Sequence, residues 1–160
     1  FGEGNRNARL MIVGEGPGAE EDEQGRPFVG KAGKLLDIML AAIQIKREDV
    51  FIANIVKCRP PGNRVPKDDE ADACLQHLRH QVALVKPDIL VCLGAPAVRH
   101  IIGRDARITK IRGRWFERGG MKIIATYHPA ALLRDPGKKI EAWEDLKKIR
   151  EEYRIILSAS

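Results

Sequence analysis

Leu10-Met11-Ile12-Val13-Gly14-Glu15-Gly16-Pro17-Gly18-Ala19 decides how the rest of the chain is read, because an apolar run passes directly into a glycine-rich turn. Gly14, Gly16 and Gly18 let the backbone turn tightly and approach a ligand with no Cβ in the way, and Pro17 fixes one φ angle. Gly14, Gly16 and Ala19 also fit the G-x-G-x-x-A turn that receives a pyrophosphate in dinucleotide-binding folds. Glu20, Glu21, Asp22 and Glu23 follow at once, however, and Coulomb repulsion from such close carboxylates opposes two phosphates. The turn therefore suits an uncharged ligand. Glu20 and Glu23 read as acids at the positive end of a short helix, and Glu21 stays open between that and a role at the ligand.

Outward from this stretch, four apolar runs rich in β-branched residues alternate with longer helical patterns: Leu10–Val13, Val50–Val56, Ile89–Leu93 and Lys122–Thr126. That rhythm implies a parallel α/β sheet. Leu35, Leu36, Met39, Leu40 and Ile43 recur at helical spacing, as on a helix packed against the sheet. A second helix is expected from about Asp68 to Val85, a short one over Pro96–Ile102, and a last one from about Lys138 to Ile156, whose alternating charges read as a solvated face. Ile108–Arg112 and Arg114–Glu117 flank Gly113 and read as a small hairpin or antiparallel edge, closed by Gly119-Gly120.

The 160 residues, 44% of them hydrophobic, suffice for one sizeable core and one domain, 1–160. No apolar run reaches bilayer length and the N-terminus resembles no signal sequence, which implies a soluble, cytoplasmic protein. The chain begins with Phe1 close to its first strand, so an upstream segment of the natural protein is expected. The net charge of +6 points to an anionic partner such as nucleic acid without deciding it.

Four loops follow strands: Gly14–Gly18, Asn54 to Cys58, Gly94-Ala95 and His128. Ligands of open parallel sheets bind at the carboxyl ends of the strands, so these loops should meet at one cleft. His128 stands in Tyr127-His128-Pro129, where a neutral imidazole N–H can stabilise a developing oxyanion. Leu132-Leu133-Arg134 reads equally as a helix start packing into the core or as a wedge that opens a base stack beside a phosphate-binding cation. Phe28 is core or a stacking platform, its flanking Pro27 and nearby Gly30 favouring the second. Asn54 interrupts an apolar strand, either as a satisfied structural amide or as a reader of a planar base edge. Cys92 reads as inert core. Cys58 and Cys74 border a proline-rich loop and suggest metal rather than a disulfide, two thiolates being half of a four-Cys iron–sulfur or zinc site.

Gly-Glu-Gly-Pro-Gly-Ala-Glu-Glu-Asp at 14–22, Gly-Arg-Pro-Phe-Val-Gly at 25–30, Asn-Ile-Val-Lys-Cys-Arg-Pro-Pro at 54–61 and His-Pro-Ala-Ala-Leu-Leu-Arg at 128–134 together resemble the family-4 uracil-DNA glycosylases. The resemblance spans nearly the whole chain. It implies a three-layer α/β/α fold around a four-stranded parallel sheet, and hydrolysis of the bond joining uracil to deoxyribose in single- and double-stranded DNA by a monomer. By the same resemblance Phe28 would stack on the flipped base, Asn54 would bind N3–H and O4, Glu21 would refuse thymine's methyl, and N–H groups around Glu15 and Gly16, with His128, would face O2. Leu132, Leu133 and Arg134 would face the duplex. Other uracil-glycosylase families carry a water-orienting carboxylate where this chain has Gly16, which leaves Glu15 as the candidate. A four-iron, four-sulfur cluster is implied, with Cys58 and Cys74 as two of its four ligands. The alternatives are a relative that binds or cross-links uracil-DNA without turnover, a nucleotide-binding Rossmann-like protein, and a non-catalytic DNA-binding module.

Overall fold

The computed structural model describes residues 2–15, 29–55 and 68–159, with side chains of 68–74 excepted. In chain order the elements are β1 (Glu3–Gly4), β2 (Leu10–Gly14), α1 (Lys31–Ala42), β3 (Phe51–Asn54), α2 (Asp68–Val85), β4 (Ile89–Leu93), α3 (Ala95–Ile101), α4 (Ile108–Ile111), β5 (Phe116–Arg118), β6 (Met121–Thr126), α5 (Pro129–Arg134) and α6 (Lys139–Ser158). Short 3-10 turns at Arg47–Asp49 and Pro136–Lys138 lead into β3 and α6.

The sheet has the order β1-β3-β2-β4-β6-β5. Pairings among β3, β2, β4 and β6 are parallel, while β1 and β5 join antiparallel at the two edges. The sheet is thus six-stranded and mixed rather than four-stranded and parallel. β1 escaped the sequence reading because two residues carry no hydrophobic pattern. The other departure is at Ile108–Ile111, expected as a strand and found as one helical turn. Ile108 and Ile111 lie three residues apart, a spacing that puts both on one side of a helix, where they pack against the core. The antiparallel edge is instead made by Phe116–Arg118 returning on Met121–Thr126 through Gly119-Gly120, both of positive φ.

Parallel strands covered on both faces read as continuous apolar runs, and alternate residues divide between two cores. Leu10, Ile12, Ile52, Val91 and Ile124 meet Leu36 and Leu40 of α1, Leu132 of α5, and Leu146 and Ile149 of α6. Met11, Val13, Ala53, Leu90 and Cys92 meet Leu78 of α2 and Val98 of α3. Cys92 is fully buried, which pushes its thiol up to about 12 and makes it an inert packing residue. No described helix is long and apolar enough to cross a membrane.

Register sets the site. Gly14 pairs with Asn54, Val13 with Cys92, and Leu93 with Thr126, so Gly14, Asn54, Leu93 and Thr126 lie on one line across the carboxyl ends of the four parallel strands. Ile55 N–H donates to Gly14 O at 3.0 Å and Gly94 N–H to Thr126 O at 3.0 Å, which holds the exits of neighbouring strands together.

Candidate active site

Three strand spacings, on the order of 14 Å, separate β3 from β6 along this rim. Glu15 leaves β2 between them, and Gly94 leaves β4. Asn54 ends β3 and is only 4% exposed. Its Oδ1 is buried and has no hydrogen-bond partner among the described residues. An orphaned buried acceptor of this kind costs about 1–3 kcal/mol.

His128 is the N-cap of α5, in extended conformation, and its Nδ1 accepts the Ala130 N–H at 3.0 Å. Pro129 follows at the first helical position, where its missing N–H costs nothing. An Nδ1 that accepts carries no proton, so the neutral ring holds its proton on Nε2 and offers that N–H as a donor. Gly94 backs the imidazole. Its φ is +91°, and a Cβ there would lie 3.1 Å from His128 Cβ, so glycine alone meets both demands.

Glu15 is half-buried, and burial pushes its carboxyl above the ordinary glutamate range; the Arg134 cation, close enough to act on it, offsets part of that rise. Within α5 the three residues of the sequence motif separate. Leu132 is 1% exposed and belongs to the core, whereas Leu133 is 47% exposed and Arg134 is exposed. The expectation that Leu132 faces the duplex is corrected on this ground: one helical step of about 100° turns it to the sheet and Leu133 to solvent.

The rim thus brings Glu15, Asn54 and His128 to the carboxyl ends of β2, β3 and β6, with β4 between β2 and β6, and Arg134 lies within electrostatic reach of Glu15. Gly16, Glu21, Phe28 and Cys58 lie outside the described residues, as does the side chain of Cys74, which the sequence positions in α2. Among the described residues no cluster of three or more His, Cys, Asp or Glu could hold a metal. The 160 residues contain three cysteines, Cys58, Cys74 and Cys92, and Cys92 is fully buried in the apolar core.

One group escaped the sequence reading. Asp145, in a charge run expected to be solvated, is 1% exposed. Its signal was its spacing, since Ala142, Leu146 and Ile149 form the buried stripe of α6 and Asp145 falls inside it.

The Uracil DNA glycosylase superfamily model matches residues 1–147, and the chain belongs to that superfamily. Within it, the chain is similar to the type-4 uracil-DNA glycosylase of Thermotoga maritima, at 47% identity over 93% of this chain and 80% of that protein. It is 45% identical to the type-4 enzyme of Archaeoglobus fulgidus, over 94% of this chain and 79% of that protein. The type-5 uracil-DNA glycosylase of Pyrobaculum aerophilum is more distant, 33% identical over 84% of this chain and 67% of that protein.

Proposed function

We propose that this protein removes uracil from single- and double-stranded DNA by hydrolysing its N-glycosidic bond, leaving an abasic site for repair. The observation that carries the reading furthest is the orphaned Oδ1 of buried Asn54, on the same rim as an imidazole whose donor nitrogen is Nε2. Uracil presents N3–H and O4 on one edge and O2 on another, a complementary set for an amide and an imidazole donor.

The chemistry follows from where charge develops. A stacked base must first leave the duplex at a cost of a few kcal/mol, offset by contacts of the basic protein with the backbone and by Leu133 and Arg134 at the duplex. Phe28 stacks on the flipped ring, Asn54 pairs with N3–H and O4, and Glu21 crowds C5 against a methyl group. As the bond from C1′ to N1 breaks, its electron pair stays on the base, negative charge gathers on O2, and the sugar becomes an oxocarbenium ion. The His128 Nε2–H and backbone N–H groups near Gly16 strengthen their hydrogen bonds to O2 as that charge grows. Water then adds to C1′, with the Glu15 carboxylate taking its proton. Cys58 and Cys74 would hold one side of a four-iron cluster, which when bound would tether the loop after β3 to α2. The short edge strands, two residues in β1 and three in β5, leave little open edge for pairing with a second copy, in keeping with a monomer.

Incubation with uracil-containing single- and double-stranded oligonucleotides, followed by alkali, should break the strand at the uracil position. Intact strands would refute the assignment, and protein–DNA adducts on a denaturing gel would replace it with a cross-linking relative.

The raised Glu15 carboxyl gives a pH prediction. If its carboxylate is the working form, single-turnover rates fall on the acid side with a midpoint above the ordinary glutamate range. Removing the neighbouring cation in Arg134→Gln leaves the burial effect unopposed and moves that midpoint to higher pH. An unmoved or lowered midpoint would separate Glu15 from the rate-determining ionisation.

A further inference from the structure

Thr126 and Tyr127, the two residues immediately before His128, are both tied by their side chains to carboxylates of α6. Thr126 Oγ1 donates to Asp145 Oδ2 at 2.6 Å in a fully buried contact. Tyr127 OH donates to Glu141 Oε1 at 3.3 Å. Arg112 joins the two, donating from Nη1 to Asp145 Oδ1 at 3.0 Å and from Nη2 to Glu141 Oε2 at 2.7 Å. Two cations approach the Tyr127 ring, Lys138 Nζ at 5.0 Å from its centre and Arg112 Cζ at 5.8 Å.

The surrounding backbone is shaped to this carboxylate. Gly113 has a φ of +74°, and Asp145 Oδ1 occupies the space that a Cβ at this position would need. Gly113 N–H donates to Ala125 O at 2.9 Å, and its own O accepts from Lys148 Nζ at 2.9 Å.

Net stability is a weak ground for the arrangement. Position 145 falls in a stripe of apolar residues, and replacing a buried ion pair by well-packed apolar groups is often neutral or stabilising. Burial pushes the Asp145 carboxyl up, with the Thr126 hydroxyl and Arg112 pulling against it. Arg112 Nε is also buried with no partner among the described residues, a further unrecovered cost. What a charged network supplies, and an apolar cluster does not, is direction.

We propose that Asp145, with Arg112 and Glu141, is a positioning device for His128: it fixes the Thr126-Tyr127 exit of β6 so that the imidazole, already held by the Ala130 N–H and backed by Gly94, points its Nε2–H at the reacting base. The kinetic half of this inference rests on the glycosylase reading; the geometric half does not.

The tests are Asp145→Leu, which keeps bulk and removes the acceptor, and the milder pair Thr126→Val and Thr126→Ser. Single-turnover rates on uracil-containing DNA should fall by up to about 100-fold in Asp145→Leu, as for a displaced catalytic group. Leaving Arg112 and the Thr126 hydroxyl without their acceptor should lower the melting temperature, while DNA affinity and a cooperative transition are retained. Thr126→Val should show a smaller fall in the same sense, and Thr126→Ser should restore the rate. In parallel, ¹⁵N spectra of histidine-labelled protein, with His128 identified by its absence in His128→Ala, should shift from a single Nε2–H tautomer toward an averaged one in Asp145→Leu and Thr126→Val.

A purely structural role would lower the melting temperature without moving that signature in folded protein. Unchanged tautomer signals in both variants would overturn the proposal, even if the wild type released no uracil. A wild type without uracil release would by itself overturn only the glycosylase reading. Full rates in folded Asp145→Leu, or a loss confined to affinity, would also overturn the proposal.

Discussion

His128→Ala lowers the rate of uracil release by about 10²–10³-fold, the cost of removing one preorganised donor from a developing oxyanion. The loss falls on the chemical step, because charge on O2 is small in the bound substrate and large when the glycosidic bond has broken. Affinity for uracil-containing DNA, set largely by backbone contacts, should change only a few-fold. Single-turnover kinetics with saturating protein separate the two. The magnitude depends on the ring already being in the donating state. With Nδ1 engaged by Ala130 N–H at 3.0 Å, a neutral ring has its proton on Nε2, and on the proposed mechanism no proton rearrangement need precede reaction. A rate within tenfold of wild type, or a defect seen only in affinity, would remove His128 from the mechanism.

Asn54→Asp should lower the ratio of uracil to cytosine excision by roughly 10²–10⁴-fold, the consequence of mismatching two hydrogen bonds of about 1–3 kcal/mol each. The amide offers one acceptor to N3–H and one donor to O4. Cytosine reverses the pattern, with an acceptor at N3 and a donor at N4. A carboxylate keeps the acceptor, loses the donor, and gains a partner in the cytosine amino group. Burial at 4% exposure pushes the new carboxyl up, so the effect should grow with pH as it ionises. Competition between uracil- and cytosine-containing strands across pH measures it. Selectivity unchanged at alkaline pH would return Asn54 to a structural amide.

The parallel heart of the fold was legible because its strands, buried on both sides, are unbroken apolar runs such as Ile89–Leu93. The candidate site stood out in the sequence for a related reason. Asn54 is conspicuous as a polar residue ending such a run, and His128 as one lying just past another. Elements too short for periodicity were not legible. Glu3–Gly4 joins the sheet through backbone pairing alone, and Ile108–Ile111 contains a spacing that four residues cannot distinguish from a strand edge. Leu132 and Leu133 were unresolved because neighbouring residues on a helix face different ways, and only the helix axis tells which way. Asp145 was hidden differently. Its partners Thr126 and Arg112 are 19 and 33 residues away, and no local pattern announces a contact that tertiary structure creates.

Helix α5 carries the His128 imidazole at its start and the exposed Leu133-Arg134 pair at its end, with Leu132 pinned between them. Six helical steps span roughly 9 Å. On the proposed roles of His128 and Leu133-Arg134 the helix works as a ruler: the offset between the chemistry and the gap left in the duplex is set by helical pitch. A single inserted residue would lengthen it by only about 1.5 Å but swing its far end by about 100°, so the phase of this short rod constrains the enzyme more tightly than its length.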